Sequence, residues 1–343
     1  QKQLDSWENR LLSGNVGDVH YPTCSPDGST VAFVREQWLT GLYSFDYLGN
    51  LGNTKYISDK SLSHWNSTPI LSPDGAHVVY TTWENSVVVE NIENGETRIV
   101  FQKDYTPVVN PKWSADGLYV YYLVSYNYIE KAAIDGSDKS RVTIGGRLNN
   151  WDTFELSPDG SRYVISGRED QPDAGYDLFL LSVDDDKIIK ITENQYRARK
   201  PSWSPDGNSI AYFGTDSSGV ADLVLMTPTG SVIDTLAGGF ISYSTPQWAG
   251  DGGRIVFYGY TGIEGSIYEY STIQQSLRAL FPKPSGYSFV SINPLKENEL
   301  LFVHSGQFYN LNTITMDSTV LELTPSTTNR YLYPIWTPDG SHI

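Results

Sequence analysis

The sequence predicts an all-β protein made of repeated four-stranded antiparallel sheets, and three observations predict it. A five-residue motif recurs along the chain: "CSPDG" from Cys24, "LSPDG" from Leu71, "WSADG" from Trp113, "LSPDG" from Leu156, "WSPDG" from Trp203, "WAGDG" from Trp248 and "WTPDG" from Trp336. Its aspartates, Asp27, Asp74, Asp116, Asp159, Asp206, Asp251 and Asp339, are spaced by 42 to 47 residues, with one final step of 88. A period of roughly 40–45 residues is that of a propeller blade. The segments between motifs are β-rich, and none holds a sustained helical period.

Each element of the repeat has a physical reason. Proline presets φ at the second turn position, aspartate bonds nearby amides, and glycine takes the positive φ that closes a hairpin. A short apolar strand precedes the turn, as in "KPSW" at 200–203, and a β-rich run follows it, as in "NSIAYFG" at 208–214 or "LYVYYLV" at 118–124. Two further strands follow, such as "DLVLMT" at 222–227 and "SVIDTLAG" at 231–238. One sheet cannot bury both faces alone, so neighbouring blades stack into a ring.

The step of 88 holds two units, and the degenerate one is "SINPLKENELLFV" at 291–303, which keeps the proline and apolar run without Asp-Gly. The expectation is one propeller domain over residues 1–343, with repeats starting near 21, 67, 110, 152, 200, 245, 290 and 333. Residues 1–15 would supply outer strands to the last unit, giving eight blades and no open edge. Seven blades is the alternative, if the "NPLKENEL" unit is an insertion.

The pattern P-x-W-S-P-D-G-x-x-I-x-F, as at residues 201–213, resembles the WD40-like repeat of TolB-type β-propellers, and the resemblance covers nearly the whole chain. It implies the fold. For function it implies periplasmic interaction modules, glycan-binding or glycan-degrading proteins, or gating domains of prolyl-oligopeptidase-like enzymes.

Composition narrows the partners. The net charge is -16, which repels phosphate backbones and argues against nucleic acid. No apolar run reaches the ~18–20 residues of a membrane span. The single cysteine, Cys24, excludes an intrachain disulfide and a cysteine-based metal site. Richness in Tyr, Asn, Ser and Thr points to a periplasmic or secreted protein, and a closed ring needs no second copy, so a monomer is expected.

Catalytic signatures are sparse. There is no G-x-S-x-G, no P-loop and no dinucleotide fingerprint. The histidines, His20, His64, His77, His304 and His342, are scattered, with no H-x-H or H-E-x-x-H. No catalytic residue, metal or cofactor is assigned. The motif aspartates read as turn stabilisers. The acidic loops at 168–177 and 184–186 do not match calcium-loop spacing and read as solvated turns.

The remaining signal is on one face. The between-blade loops and the loops joining second to third strands share it, because strands alternate in direction. The first set carries Tyr21, Trp65, Tyr105, Trp151, Tyr196, Tyr243, Tyr287 and Tyr331, and the second carries Trp38, Trp83, Tyr126 and Tyr260. Two readings of these aromatics stand: a flat surface for a sugar or protein partner, or lids on the ends of the blade core. Arg147, Arg168, Arg197, Arg199 and Lys200 share the face in blades 4 and 5. They suit a carboxylate-bearing ligand, or else pair with Glu169, Asp170, Asp173 and Asp177. The expected function is a non-catalytic binding propeller for a protein or glycan. The alternatives are a lyase-like enzyme on acidic oligosaccharides, with His20 or His64 as base, or the propeller of a larger peptidase-like protein.

Overall fold

The computed structural model describes residues 18–24, 31–36, 40–45 and 55–58 as backbone, and then 69–82, 84–142, 148–171, 174–183, 187–192, 197–262, 265–280, 287–292, 298–304, 307–316 and 318–321. These residues form seven antiparallel sheets, met in chain order as blades 1 to 7. Blade 1 comprises Asp18–Cys24, Val31–Glu36, Thr40–Phe45 and Lys55–Ser58. Blade 2 comprises Ile70–Leu71, His77–Thr81, Ser86–Asn91 and Thr97–Gln102. Blade 3 comprises Val108–Trp113, Tyr119–Val124, Tyr128–Ala133 and Lys139–Val142. Blade 4 comprises Leu148–Leu156, Arg162–Glu169, Tyr176–Ser182 and Ile188–Lys190. Blade 5 comprises Arg197–Trp203, Ile210–Thr215, Ala221–Met226 and Val232–Phe240.

In blade 6 the first strand is broken into Ser242–Tyr243 and Gln247–Trp248, both paired with Arg254–Tyr260, and Gly265–Ser271 and Ser276–Ala279 follow. The degenerate repeat is a complete four-stranded sheet, blade 7: Tyr287–Ile292, Glu299–His304, Gln307–Asn312 and Ser318–Leu321. The eighth unit, expected from residues 333–343 with 1–15, lies outside the described residues. Among the described residues no helix is long and apolar enough to cross a membrane.

The core lies between blades, and strand periodicity puts it there. Successive side chains of a strand point to opposite faces. In blade 5, Ile210 and Tyr212 pack with Val164, Leu178 and Ile191 of blade 4. Their neighbours Ala211 and Phe213 pack with Ile255, Phe257 and Tyr270 of blade 6. The same alternation sends Val120 and Tyr122 of blade 3 toward blade 2, and Tyr121 and Leu123 toward blade 4. Each second strand is therefore apolar on both sides, which is why these runs read as continuous apolar stretches.

The motif turns form a lower face and behave as structural devices. Gly75, Gly117, Gly160, Gly207 and Gly252 all have φ between 69 and 71°. Each glycine amide closes its turn on the carbonyl three residues back, as Gly207 does on Ser204 at 2.9 Å. The buried motif serine works twice. Ser204 Oγ donates to Asp206 Oδ1 at 2.6 Å and accepts from the Ser209 amide at 2.9 Å. Ser72, Ser114 and Ser157 repeat both bonds.

Each motif aspartate among the described residues also accepts an amide two residues on, as Asp206 does from Asn208. These bonds favour the carboxylate: the Ser157 hydroxyl and then the Ser161 amide hold Asp159 down to about 2. Asp116 and Asp206 are lowered in the same way, by Ser114 and Ser204 first.

The turns also touch one another from blade to blade. A methyl built on Gly117 would stand 3.5 Å from Cδ of Pro73 in the preceding blade. Gly207 faces Pro158 and Gly252 faces Pro205 likewise, at 3.7 and 3.9 Å. Gly160 meets nothing within 4 Å, because blade 3 carries Ala115 in place of the proline. Two of the motif tryptophans lock inner strands, whereas Trp203 Nε1 is buried without a hydrogen-bond acceptor among the described residues. Trp113 Nε1 donates to the Ile70 carbonyl at 2.9 Å and Trp248 Nε1 to the Ser202 carbonyl at 3.2 Å, each in the blade before.

Candidate functional site on the upper face of blades 4 and 5

Several first strands begin earlier than the sequence reading placed them. Tyr21, Trp151, Arg197, Arg199 and Tyr287 are strand residues, where loops were expected. The reason is a recurrent irregularity. Register shifts interrupt the first strand of blades 1, 3, 4, 5 and 7, so pairing resumes above the bulge. In blades 3 and 5 a residue at the shift, Asn110 or Lys200, has φ of 53° and precedes a proline. The recurrence in two blades marks this conformation as a property of the repeat.

The nominated aromatics separate into distinct environments. Trp38, Trp65, Trp83, Tyr196 and Tyr331, together with Arg147, lie outside the described residues, and only the backbone is described for Tyr21 and Tyr287. Trp151 is corrected from a surface aromatic to a core residue, with 1% exposure between blades 3 and 4. It shares a core cluster with Val109, Leu123 and Ile129 of blade 3, and a methyl on Gly167 in the adjacent strand would be in ordinary contact with it, 3.5 Å from Trp151 Cδ1. The Trp151 amide donates to the Tyr126 carbonyl at 2.8 Å, which latches blade 4 to the Ser125–Tyr126 turn of blade 3.

The Tyr126 ring is part-buried against that same core. Tyr243 stacks on Phe213 with ring centroids 4.0 Å apart, and its hydroxyl meets Thr215 Oγ1 at 2.9 Å. Tyr260 is half-buried and donates to the Gly262 carbonyl at 3.0 Å. Tyr105 is 98% exposed, the one nominated aromatic among the described side chains with a fully free ring.

The nominated cations do converge. The guanidinium carbons of Arg168 and Arg199 lie 4.9 and 4.0 Å from the centroid of one ring, that of Tyr176. Arg199 reaches this ring across the boundary between blades 5 and 4. Arg197 is exposed next to it, against Gly175. The Lys200 ammonium turns the other way and donates to the Tyr243 carbonyl of blade 6 at 2.6 Å. Burial holds its pKa below the ordinary lysine range, with Asp152 opposing that shift and Arg199 adding to it.

Two of the four acids expected to neutralise this patch, Glu169 and Asp177, pair with Lys190, and Asp173 lies outside the described residues. Lys190 takes Asp177 at 2.8 Å and Glu169 at 3.1 Å. What faces Arg199 is Asp152, with Oδ2 4.0 Å from Nε, an ion pair too long to be a hydrogen bond. Asp152 itself is tied to blade 3, its carbonyl accepting from Asn110 Nδ2 at 3.2 Å. The Nε atoms of Arg168 and Arg199 are buried and have no hydrogen-bond acceptor among the described residues.

Tyr176 and Asp152 were missed by sequence reasoning. Tyr176 follows a glycine in an acidic loop, and the signal was an aromatic two residues past "QPDA", placed to receive a cation. No group of three or more His, Cys, Asp and Glu able to hold a metal occurs among the described residues. The side chains of His20 and His64 lie outside them.

Comparison with known proteins agrees with this architecture. An uncharacterized protein of Agrobacterium fabrum is 27% identical over 204 residues, 55% of this chain and 67% of the relative. An uncharacterized peptidase of Bacillus subtilis is 25% identical over 207 residues, 57% of this chain but 29% of the relative, so the match spans under a third of that protein. Among solved structures, an oligogalacturonate lyase from Vibrio parahaemolyticus shares the fold with a TM-score of 0.63 at 14% identity, covering 90% of this chain and 86% of that one. The family model of the TolB β-propeller domain matches residues 93–338, more than half of the sequence, and the chain therefore belongs to the TolB β-propeller domain family.

Proposed function

We propose that this propeller is a non-catalytic binding module of the bacterial envelope that docks a protein partner on the upper face of blades 4 and 5. The observation that carries the reading is the convergence of Arg168, Arg197 and Arg199 around Tyr176 on a protein of net charge -16. Cations gathered against the sign of the whole molecule, with Glu169 and Asp177 drawn off by Lys190, form a charged anchor of the kind interfaces use. The envelope location rests on family kinship and on composition.

A protein partner is favoured over a glycan by the aromatics. A sugar needs an open ring face, and near the arginines Trp151, Tyr126 and Tyr243 spend theirs on the core or on Phe213, while the free ring of Tyr105 belongs to the loop between blades 2 and 3. The test is a parallel glycan array and pulldown with the purified chain and an Arg197→Ala/Arg199→Ala variant. The expected result is a protein captured by the wild type, released by salt and lost by the variant, with no glycan retained. Retention or turnover of an acidic oligosaccharide would overturn this reading in favour of a sugar-active protein.

A further inference from the structure

We propose that Arg168 and Arg199 form a receptor for one carboxylate of an acidic peptide segment, and that Asp152 is a built-in stand-in that the partner's carboxylate displaces. The inference rests on the reading of the upper face as the docking surface and specifies the chemistry it takes.

The first support is unused hydrogen-bonding capacity. Both Nε atoms are buried, and neither has an acceptor among the described residues. Buried donors of native proteins are almost always satisfied, and these two orphaned donors belong to charged guanidiniums that share one ring, which sets them apart from the orphaned core atoms of Trp151 and Trp203. The second is preorganisation. Both guanidiniums lie over the Tyr176 ring, which limits the freedom they would lose on binding. Planar guanidinium forks match the two oxygens of a carboxylate.

The third support is the position of Asp152. Its carboxylate stays 4.0 Å from Arg199 Nε, with both side chains about one-third exposed. It balances charge without completing a hydrogen bond. Its backbone is fixed in the first strand of blade 4 and held by Asn110, so a short side chain stops at that distance. A carboxylate from a partner has no such tether and closes to hydrogen-bonding range. Ile241, 51% exposed at the junction of blades 5 and 6, offers an apolar contact on the same face that a peptide side chain can use.

The experiment is titration calorimetry of the full chain with an acetylated pentaglutamate peptide at low salt, with pentaglutamine as control. Wild type is expected to bind pentaglutamate and not pentaglutamine, and Arg199→Lys, which keeps the charge and loses the fork, to weaken binding about tenfold. Asp152→Asn removes the competitor and is expected to tighten binding about three- to tenfold. Asp152→Glu, one methylene longer, is expected to fill the receptor and weaken binding.

If wild type does not distinguish the two peptides, the carboxylate receptor is overturned. If Arg199→Lys weakens binding while Asp152→Asn leaves it unchanged or weaker, the stand-in role is overturned and the receptor stands. If neither Arg199→Lys nor the Arg197→Ala/Arg199→Ala variant alters peptide binding or partner capture, the upper-face reading itself fails.

Discussion

The lower and upper faces of this propeller are made from the same repeat and treat their polar groups in opposite ways. Below, each described motif aspartate is answered inside its own turn by an amide, and in blades 2 to 5 by a serine hydroxyl as well. Above, Arg168 and Arg199 come together from two blades, rest on one tyrosine and leave buried Nε atoms without an acceptor among the described residues. In a repeat protein, the arrangement that recurs in every unit serves the ring, and the arrangement that occurs once serves something outside it.

The largest expected effect would break the separation between the faces. Phe213 packs with Phe240 and Phe257 in the core and also carries the Tyr243 ring at the surface. Phe213→Ala should cost about 3–5 kcal/mol in denaturant unfolding. It should also weaken partner capture, because Tyr243 loses its support.

Gly207→Ala should act on the lower face alone. Its φ of 69° strains any side chain, although the space itself is adequate at 3.7 Å from Pro158. A loss of about 1–2 kcal/mol with unchanged partner capture is expected. Lost capture would mean the faces are coupled.

Ala115→Pro should restore the link that blade 3 lacks, since the position is the second of a tight turn closed by Gly117 on Ser114 at 3.0 Å. A gain of about 0.5–1 kcal/mol is expected, read as a raised denaturation midpoint.

The smallest effect is in pH. Asp159 is held at about 2 by Ser157 first, below the unfolded value of about 3.9. A depressed folded pKa means the contribution is complete above about pH 4–5 and is lost as pH falls through 4 toward 2. NMR titration of the Asp159 carboxylate should show that midpoint, and Ser157→Ala should move it upward.

Much of the lower face was legible in the sequence because its interactions are local. Serine, aspartate and glycine within one five-residue turn satisfy each other, so spelling and structure coincide. Blade 6 shows how far this holds. With Ala249 in the serine position it keeps the positive φ of Gly252, and Asp251 still accepts the Gly253 amide at 2.7 Å.

The upper face was half legible. The cationic cluster was visible as a run of arginines, but its central ring, Tyr176, comes from a different strand of the neighbouring blade. Trp151 was misplaced because its burial depends on blade 3 side chains such as Tyr121 and Leu123, while Gly167, sixteen positions away, comes within contact range only once the sheet forms. A glycine inside a strand signals close approach of something bulky, and that signal was available. The early starts of the first strands depend on bulges, and one residue of register has no signature in composition.

The contacts of Gly117, Gly207 and Gly252 with the proline of the blade before give those junctions a direction. Pro73 meets Gly117, Pro158 meets Gly207 and Pro205 meets Gly252, always with the later blade's glycine on the earlier blade's proline. The tryptophan bonds from Trp113 to Ile70 and from Trp248 to Ser202 point the same way. At these three junctions the earlier blade supplies a proline plug and the later blade a glycine socket, like links in a one-way chain, and blade 3, with Ala115, lacks the plug. A lineage that copies or deletes a whole blade preserves this polarity, whereas a graft of half a blade leaves one plug without its socket. The upper face is joined by other bonds, from the Trp151 amide to Tyr126 and from Lys200 to Tyr243, each made to a backbone carbonyl that any residue supplies.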